Sequence, residues 1–141
     1  VVTNQSVIAR GLCSVETLDD IHKKMETELG NEGAYVEAIY YCPHHPHGGF
    51  EGEVPEYKIE CECRKPKAGM LLEAAERFHI DLTQSFLVGD STRDIEAGAN
   101  AGVRTIRVRT GHGGKPDTVE PMHRVDTLVE AVDLIESLGQ H

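Results

Sequence analysis

Tryptophan is absent from this 141-residue sequence, and aromatic residues together make up 5% of it. A core built from such a chain must be aliphatic. No apolar run approaches the roughly 20 residues that a membrane-spanning helix needs, so a membrane partner is not expected. Positive charge is scarce: 14 Lys and Arg against 24 Asp and Glu leave a net charge of −10. That balance argues against a nucleic-acid or anionic-membrane surface. An anionic substrate must then be met by local cations or by a metal. The opening Val1-Val2-Thr3 has neither the basic region nor the cleavage pattern of a secretory signal. The length fits a single domain, 1–141, with a real but modest core. A monomer in the cytoplasm is expected.

Cysteine is also sparse, with four in the chain, yet three of them are close together. Cys42, His44, Cys61 and Cys63 form a Cys-x-His … Cys-x-Cys set, the composition of a closed Cys₃His zinc site. Four protein ligands leave no open coordination position, so this metal would be structural. Disulfides would need an oxidising compartment, and Cys61 and Cys63 are too near in sequence to pair readily. His44 is preferred because its spacing from Cys42 mirrors Cys61-x-Cys63; His45 and His47 remain alternatives. The loop from 42 to 64 is longer than the about 12–15 residues that unstructured loops in compact domains reach. A metal tying its ends would account for that length. Directly after the last thiolate come two adjacent cations, Arg64 and Lys65, which the metal loop would aim at an anion. Cys13 stands apart and reads as a small hydrophobe.

The rest alternates between strand and helix patterns. Val1-Val2 reads as a strand end that runs into Thr3-Asn4-Gln5-Ser6. Small polar residues past a strand end are where open α/β sheets place ligand contacts. Leu18, Ile21, Met25 and Leu29 predict a helix over 14–29 that stops at Gly30. Residues 38–41 read as a strand. Met70, Leu71, Ala74, Ala75 and Phe78 predict a core-facing helix over 67–78, and 85–88 is a buried-strand run. Gly89-Asp90-Ser91-Thr92-Arg93-Asp94 leads into a third helix, with Ile95, Gly98, Ala99 and Gly102 on one face. A strand is expected over 104–108. Thr127-x-x-Glu130 predicts a capped last helix with Leu128, Ala131, Val132, Ile135 and Leu138 inward. This alternation implies a parallel, Rossmann-like α/β sheet with helices on both faces. Asp90 follows a strand and a glycine, where a carboxylate suits Mg²⁺. Asp94, one helical turn on, would orient Asp90 or a neighbouring cation.

Thr3-Asn4, Lys65 and Gly89-Asp90 … Asp94 come in the order of motifs II, III and IV of the haloacid dehalogenase (HAD) phosphatase superfamily. The stretches Thr3-Asn4-Gln5-Ser6, Ile8-Ala9-Arg10-Gly11, Tyr41-Cys42-Pro43-His44-His45-Pro46, Cys61-Glu62-Cys63-Arg64-Lys65-Pro66 and Val108-Arg109-Thr110-Gly111 closely resemble the heptose 1,7-bisphosphate phosphatase family. The resemblance implies a capless HAD-type fold and a phosphatase that works through an aspartyl-phosphate. It implies catalytic Mg²⁺ on Asp90 and structural Zn²⁺ on Cys42, His44, Cys61 and Cys63. Thr3 would bond a phosphoryl oxygen and Lys65 would neutralise phosphoryl charge, so Thr3, Lys65, Asp90 and Asp94 are the expected catalytic residues. Arg64 would read the distal phosphate, and Asn4, Gln5 and Ser6 would line the sugar side. The substrate would be a small sugar phosphate of nucleotide-activated heptose and lipopolysaccharide biosynthesis. Ser91 stands where the family often carries Lys. The family's Asp-x-Asp-x-Thr motif I, with nucleophile and general acid, does not occur in these residues, so the sequence is expected to belong to a longer chain whose first strand lies upstream. Histidinol-phosphate phosphatase is the nearest alternative activity. A non-catalytic zinc-stabilised module that binds a phosphosugar or a protein is the alternative of another class.

Overall fold

The computed structural model describes residues 1–46, 52–111 and 116–139. His47, Gly48 and Gly49 of the metal loop, and His112 of the loop after Gly111, lie outside the described residues. Two compact units follow one another along the chain, Val1–Arg64 and Lys65–His141.

In the first unit, β1 (Val2–Asn4) pairs in parallel with β2 (Tyr40–Cys42), with Asn4 opposite Cys42. The connection between them is α1 (Val15–Asn31). Ser14 caps this helix, its hydroxyl accepting the Thr17 N–H at 3.1 Å, the N-terminal arrangement that Ser favours. The helix runs through Gly30, where a stop is expected. The chain instead turns three residues later, at Gly33, whose φ of +79° suits a residue without Cβ. Leu18 is buried, while Ile21 is 54% exposed, so the expected apolar stripe is only partly covered. After β1, Ile8 and Ala9 are buried in a turn that the returning metal loop clasps: the Val54 N–H bonds the Ala9 carbonyl at 2.8 Å.

In the second unit, three parallel strands lie in the order β3 (Phe86–Gly89), β4 (Arg104–Val108), β5 (His123–Val125). The helices are α2 (Gly69–Phe78), α3 (Thr92–Ala101) and α4 (Leu128–Gly139). β3 begins one residue later than expected and takes in Gly89. α2 starts two residues later than expected, at Gly69, and Phe78 at its end is 37% exposed with the Arg77 guanidinium 5.0 Å from its ring. Phe78 therefore covers a cation, not the core. α3 packs on β3 and β4 through Gly98: a Cβ there would lie 2.4 Å from Thr105 Cγ2. Ile106, Val108 and Ala131 form the centre of the core, with Phe86, Val88, Val125, Leu134 and Ile135 packed around them. Leu128 and Val132, expected inward on α4, are 60% and 45% exposed. The helix instead meets the sheet through a narrower stripe around Ala131, Leu134 and Ile135.

Candidate functional site

Each unit carries its own cluster of candidate site residues. In the first, β2 ends at Cys42, so the thiol is buried at the close of a strand. Two residues on, His44 turns its Nδ1 to within 3.6 Å of Cys42 Sγ and 3.4 Å of Cys63 Sγ. The sulfurs of Cys42, Cys61 and Cys63 lie 2.9 to 3.4 Å apart. One ligand atom from each of the four residues falls within 4.8 Å of the others. Zn–S bonds of about 2.3 Å would set tetrahedral S···S edges near 3.8 Å, so metal entry asks for shifts of under about 1 Å. His45 faces elsewhere, its Nδ1 3.4 Å from Lys58 Nζ.

The three thiols differ in their surroundings. Burial, and then hydrogen bonds and charge from the other two sulfurs, push the Cys63 thiol far up. Burial also raises Cys42. At Cys61 burial opposes ionisation, but bonds from the Cys63 side chain and the Arg64 backbone outweigh it and lower the thiol. A divalent ion bound here would take all three sulfurs as thiolates.

The loop reaches onward to two sequence-expected binding residues. Arg64 Nη1 donates to the His44 carbonyl at 3.2 Å, which ties the guanidinium to a metal-loop residue. At the other strand end, the Gln5 N–H bonds the Cys42 carbonyl at 2.7 Å. Gln5 Nε2 also donates to Thr3 Oγ1 at 3.1 Å. Thr3 and Asn4 are the last residues of β1, one step earlier than the loop position expected. Ser6 opens the turn, its carbonyl accepting the Arg10 N–H at 2.9 Å.

In the second unit, Asp90 follows β3 at the carboxyl end of the strand, and Ser91 caps α3. The capping box is closed by Asp94, so both its oxygens are committed. Oδ2 accepts the Asp90 N–H at 3.1 Å, the Ser91 N–H at 3.1 Å and the Ser91 hydroxyl at 3.0 Å. Oδ1 takes Lys65 Nζ at 2.5 Å. Burial works against ionisation of Asp94, yet the Lys65 bond and charge and the Ser91 donors hold its carboxyl below the usual range. Gly89 makes this approach possible, since a Cβ there would lie 2.3 Å from Asp94 Cβ. Ser91, where lysine is common in the resembling family, thus has a local role as a helix cap. Asp94 is balanced by Lys65. Gly111 lies so close to Asp90 that a Cβ there would come 2.2 Å from Asp90 Oδ2. The sequence reading missed the buried Arg107–Asp117 pair. Its partners are ten residues apart, with no motif to join them.

Asp90 at the carboxyl end of a parallel strand and the Lys65–Asp94 pair at the start of the next helix form a ligand site of the kind that open α/β enzymes carry. The HAD-hydrolase-like family model matches residues 62–134. D-glycero-β-D-manno-heptose-1,7-bisphosphate 7-phosphatase of Salmonella typhi is 41% identical over 133 residues, 94% of this chain and 67% of that protein. The enzyme of the same name from Haemophilus influenzae is 43% identical, over 93% of this chain and 67% of its own length. A crystal structure of D,D-heptose 1,7-bisphosphate phosphatase from B. bronchiseptica complexed with magnesium and phosphate superposes with a TM-score of 0.80 at 36% identity, over 98% of this chain and 73% of that one. The chain belongs to the heptose-1,7-bisphosphate 7-phosphatase family of HAD-like hydrolases, and it spans about two thirds of the length of its curated relatives.

Proposed function

We propose that this chain is the Lys65-, Asp90- and zinc-bearing part of a Mg²⁺-dependent phosphatase that removes the 7-phosphate of D-glycero-β-D-manno-heptose 1,7-bisphosphate. The observation that carries the reading is the Asp94 carboxylate, which holds Lys65 on one oxygen and the Asp90–Ser91 backbone on the other. Phosphoryl transfer depends on positioning and on charge stabilisation more than on covalent chemistry by the protein. Asp94 performs that positioning for two groups at once. Lys65 neutralises charge on the phosphoryl group. Asp90 would hold Mg²⁺, which when bound supplies Lewis-acid and template chemistry at the phosphoryl oxygens.

Thr3 donates its hydroxyl proton to a phosphoryl oxygen, and the Gln5 amide bonded to Thr3 Oγ1 leaves that proton available. Asn4, Gln5 and Ser6 line the sugar side, and Arg64 binds the distal phosphate through its planar fork. The attacking carboxylate that forms the aspartyl-phosphate, and the acid that protonates the leaving alcohol, belong to the Asp-x-Asp pattern outside these residues. Splitting hydrolysis into two displacements lowers each barrier. Cys42, His44, Cys61 and Cys63 would hold Zn²⁺ as a closed structural site. The substrate places the enzyme in nucleotide-activated heptose and lipopolysaccharide biosynthesis, as a cytoplasmic monomer.

The test is phosphate release by the full-length protein. Heptose 1,7-bisphosphate is expected to turn over at least tenfold faster than histidinol phosphate, and only with Mg²⁺. The reverse order would make this a histidinol-phosphate phosphatase. No release from either, with sugar phosphate still bound, would make it a binding module.

A further inference from the structure

A second ionic cluster in Lys65–His141 stands apart from the Lys65–Asp94 pair. Arg107 of β4 is buried, and its guanidinium bonds Asp117, whose side chain is 4% exposed. Arg124 of β5 closes on the other carboxylate oxygen at 2.8 Å. A carboxylate stays this far from water only when charged donors match it. The next residue, Thr118, reaches the other way. Its N–H donates to Thr92 Oγ1 at 2.9 Å, and its hydroxyl donates to Glu96 Oε2 at 3.2 Å. Thr92 is the first residue of α3, two beyond Asp90. On the outgoing side of the same β4–β5 connection, Gly111 (φ +88°) lies against the Asp90 carboxylate. The segment that leaves β4 therefore touches Asp90, and the segment that returns to β5 is fastened to β4, β5 and α3.

We propose that Asp117 and Thr118 are positioning residues for Asp90. They fasten the start of α3, two residues beyond Asp90, to β4 and β5, and so fix the orientation of the carboxylate that would take Mg²⁺. The proposal rests on the Mg²⁺ reading of Asp90 given above. Burying an ion pair is a weak route to stability, whereas registering a loop against a metal ligand gives the pair a use. Outer-shell groups of this kind typically set metal affinity by about 10–100-fold.

The experiment is calorimetric Mg²⁺ binding to the full-length enzyme, with steady-state turnover as a function of Mg²⁺ beside it. Asp117→Asn is expected to raise the Mg²⁺ Kd, and with it the Mg²⁺ concentration for half-maximal rate, about tenfold. Thr118→Val, on an exposed strap that should leave the fold intact, is expected to raise it less. In both, the rate at saturating Mg²⁺ and the KM for the bisphosphate should stay near wild type. Gly111→Ala should reproduce the Mg²⁺ effect, because its Cβ crowds Asp90 directly. Lowered Tm with wild-type Mg²⁺ dependence in both variants would overturn the proposal and leave the cluster purely structural. If Asp117→Asn does not fold, Thr118→Val decides alone. A wild-type enzyme that turns over without Mg²⁺ would overturn the Mg²⁺ reading itself and this proposal with it.

Discussion

Asp94 is 6% exposed and accepts bonds from Lys65, Ser91 and the Asp90 backbone. Its effects therefore divide by substitution. Asp94→Ala leaves Lys65 without this counter-charge and removes the acceptor for three N–H and O–H donors. Breaking one side of a buried pair costs about 3–5 kcal/mol, so chemical denaturation should show a loss of that order and activity should vanish. Lys65→Met keeps most of the side-chain volume but removes the cation. Its expected signature is a kcat about 10²–10³-fold lower, as when one preorganised donor to a developing charge is lost, together with a lowered Tm, since the buried Asp94 carboxylate loses its cation. The pH dependence follows from the lowered carboxyl of Asp94. A folded-state value below the unfolded one stabilises the protein fully above the unfolded pKa, about 3.9. That stabilisation is lost as pH falls through the depressed folded value. Tm measured from pH 7 down to pH 2 should drop steeply below about pH 4, and Asp94→Asn should flatten that part of the curve. Gly89→Ala places a Cβ 2.3 Å from Asp94 Cβ. Overpacking of this kind costs typically about 1–3 kcal/mol, and here it should also lower kcat by displacing Lys65's partner.

At the scale of elements, the metal loop is the clearest case. Its candidate ligands come from the end of β2 and from a Cys-x-Cys on the far side of a long loop, within 4.8 Å of one another. The one-residue spacings and the adjacent cations made this legible in the sequence, because coordination chemistry constrains residue type and spacing together. Helices with a repeating apolar stripe were legible too, within one or two residues at each end. β5 was not: His123-Arg124-Val125 shows no alternation, and three residues become a strand only by registering with Ile106-Arg107-Val108 of β4. The outward Leu128 and Val132 were misplaced for a related reason. Periodicity finds an apolar face on a helix, but the width of the face that is covered depends on the neighbouring strands. The Arg107–Asp117–Arg124 cluster is also a tertiary fact that no local pattern encodes. For the loop, Cys63→Ser should lower Zn²⁺ affinity by more than the about 10–100-fold typical of outer-shell changes, read as metal per chain after dialysis. Zn²⁺ affinity should also fall as pH falls. The raised Cys42 and Cys63 thiols must release protons to bind metal, and acid opposes that release. Competition with a chromogenic chelator between pH 8 and pH 6 checks the sign.

At the scale of the whole chain, the four candidate metal ligands fall within Val1–Arg64, while the Lys65–Asp94 pair and the three-stranded sheet fall within Lys65–His141. A metal clip stabilises by closing a loop, and its effect is confined to the segments it joins. The first unit has a two-stranded sheet, and an isolated pair of strands is marginal in water. It therefore depends on the clip more than the second unit, whose core of Ile106, Val108 and Ala131 lies outside the loop. Amide hydrogen exchange before and after removal of the metal by a strong chelator should show this asymmetry. Protection should fall first around Cys42, Val54 and the turn at Ile8–Ala9, which the returning loop clasps through the Val54–Ala9 bond. Amides of β3, β4 and α3 should keep their protection under the same conditions. Equal loss across both units would mean that the clip holds the whole chain as one cooperative structure. Arg64, anchored on the His44 carbonyl, should then lose its position no sooner than Lys65. If the asymmetry holds, chelation should weaken binding of the distal phosphate before it abolishes turnover, seen as a rise in KM that precedes the fall in kcat.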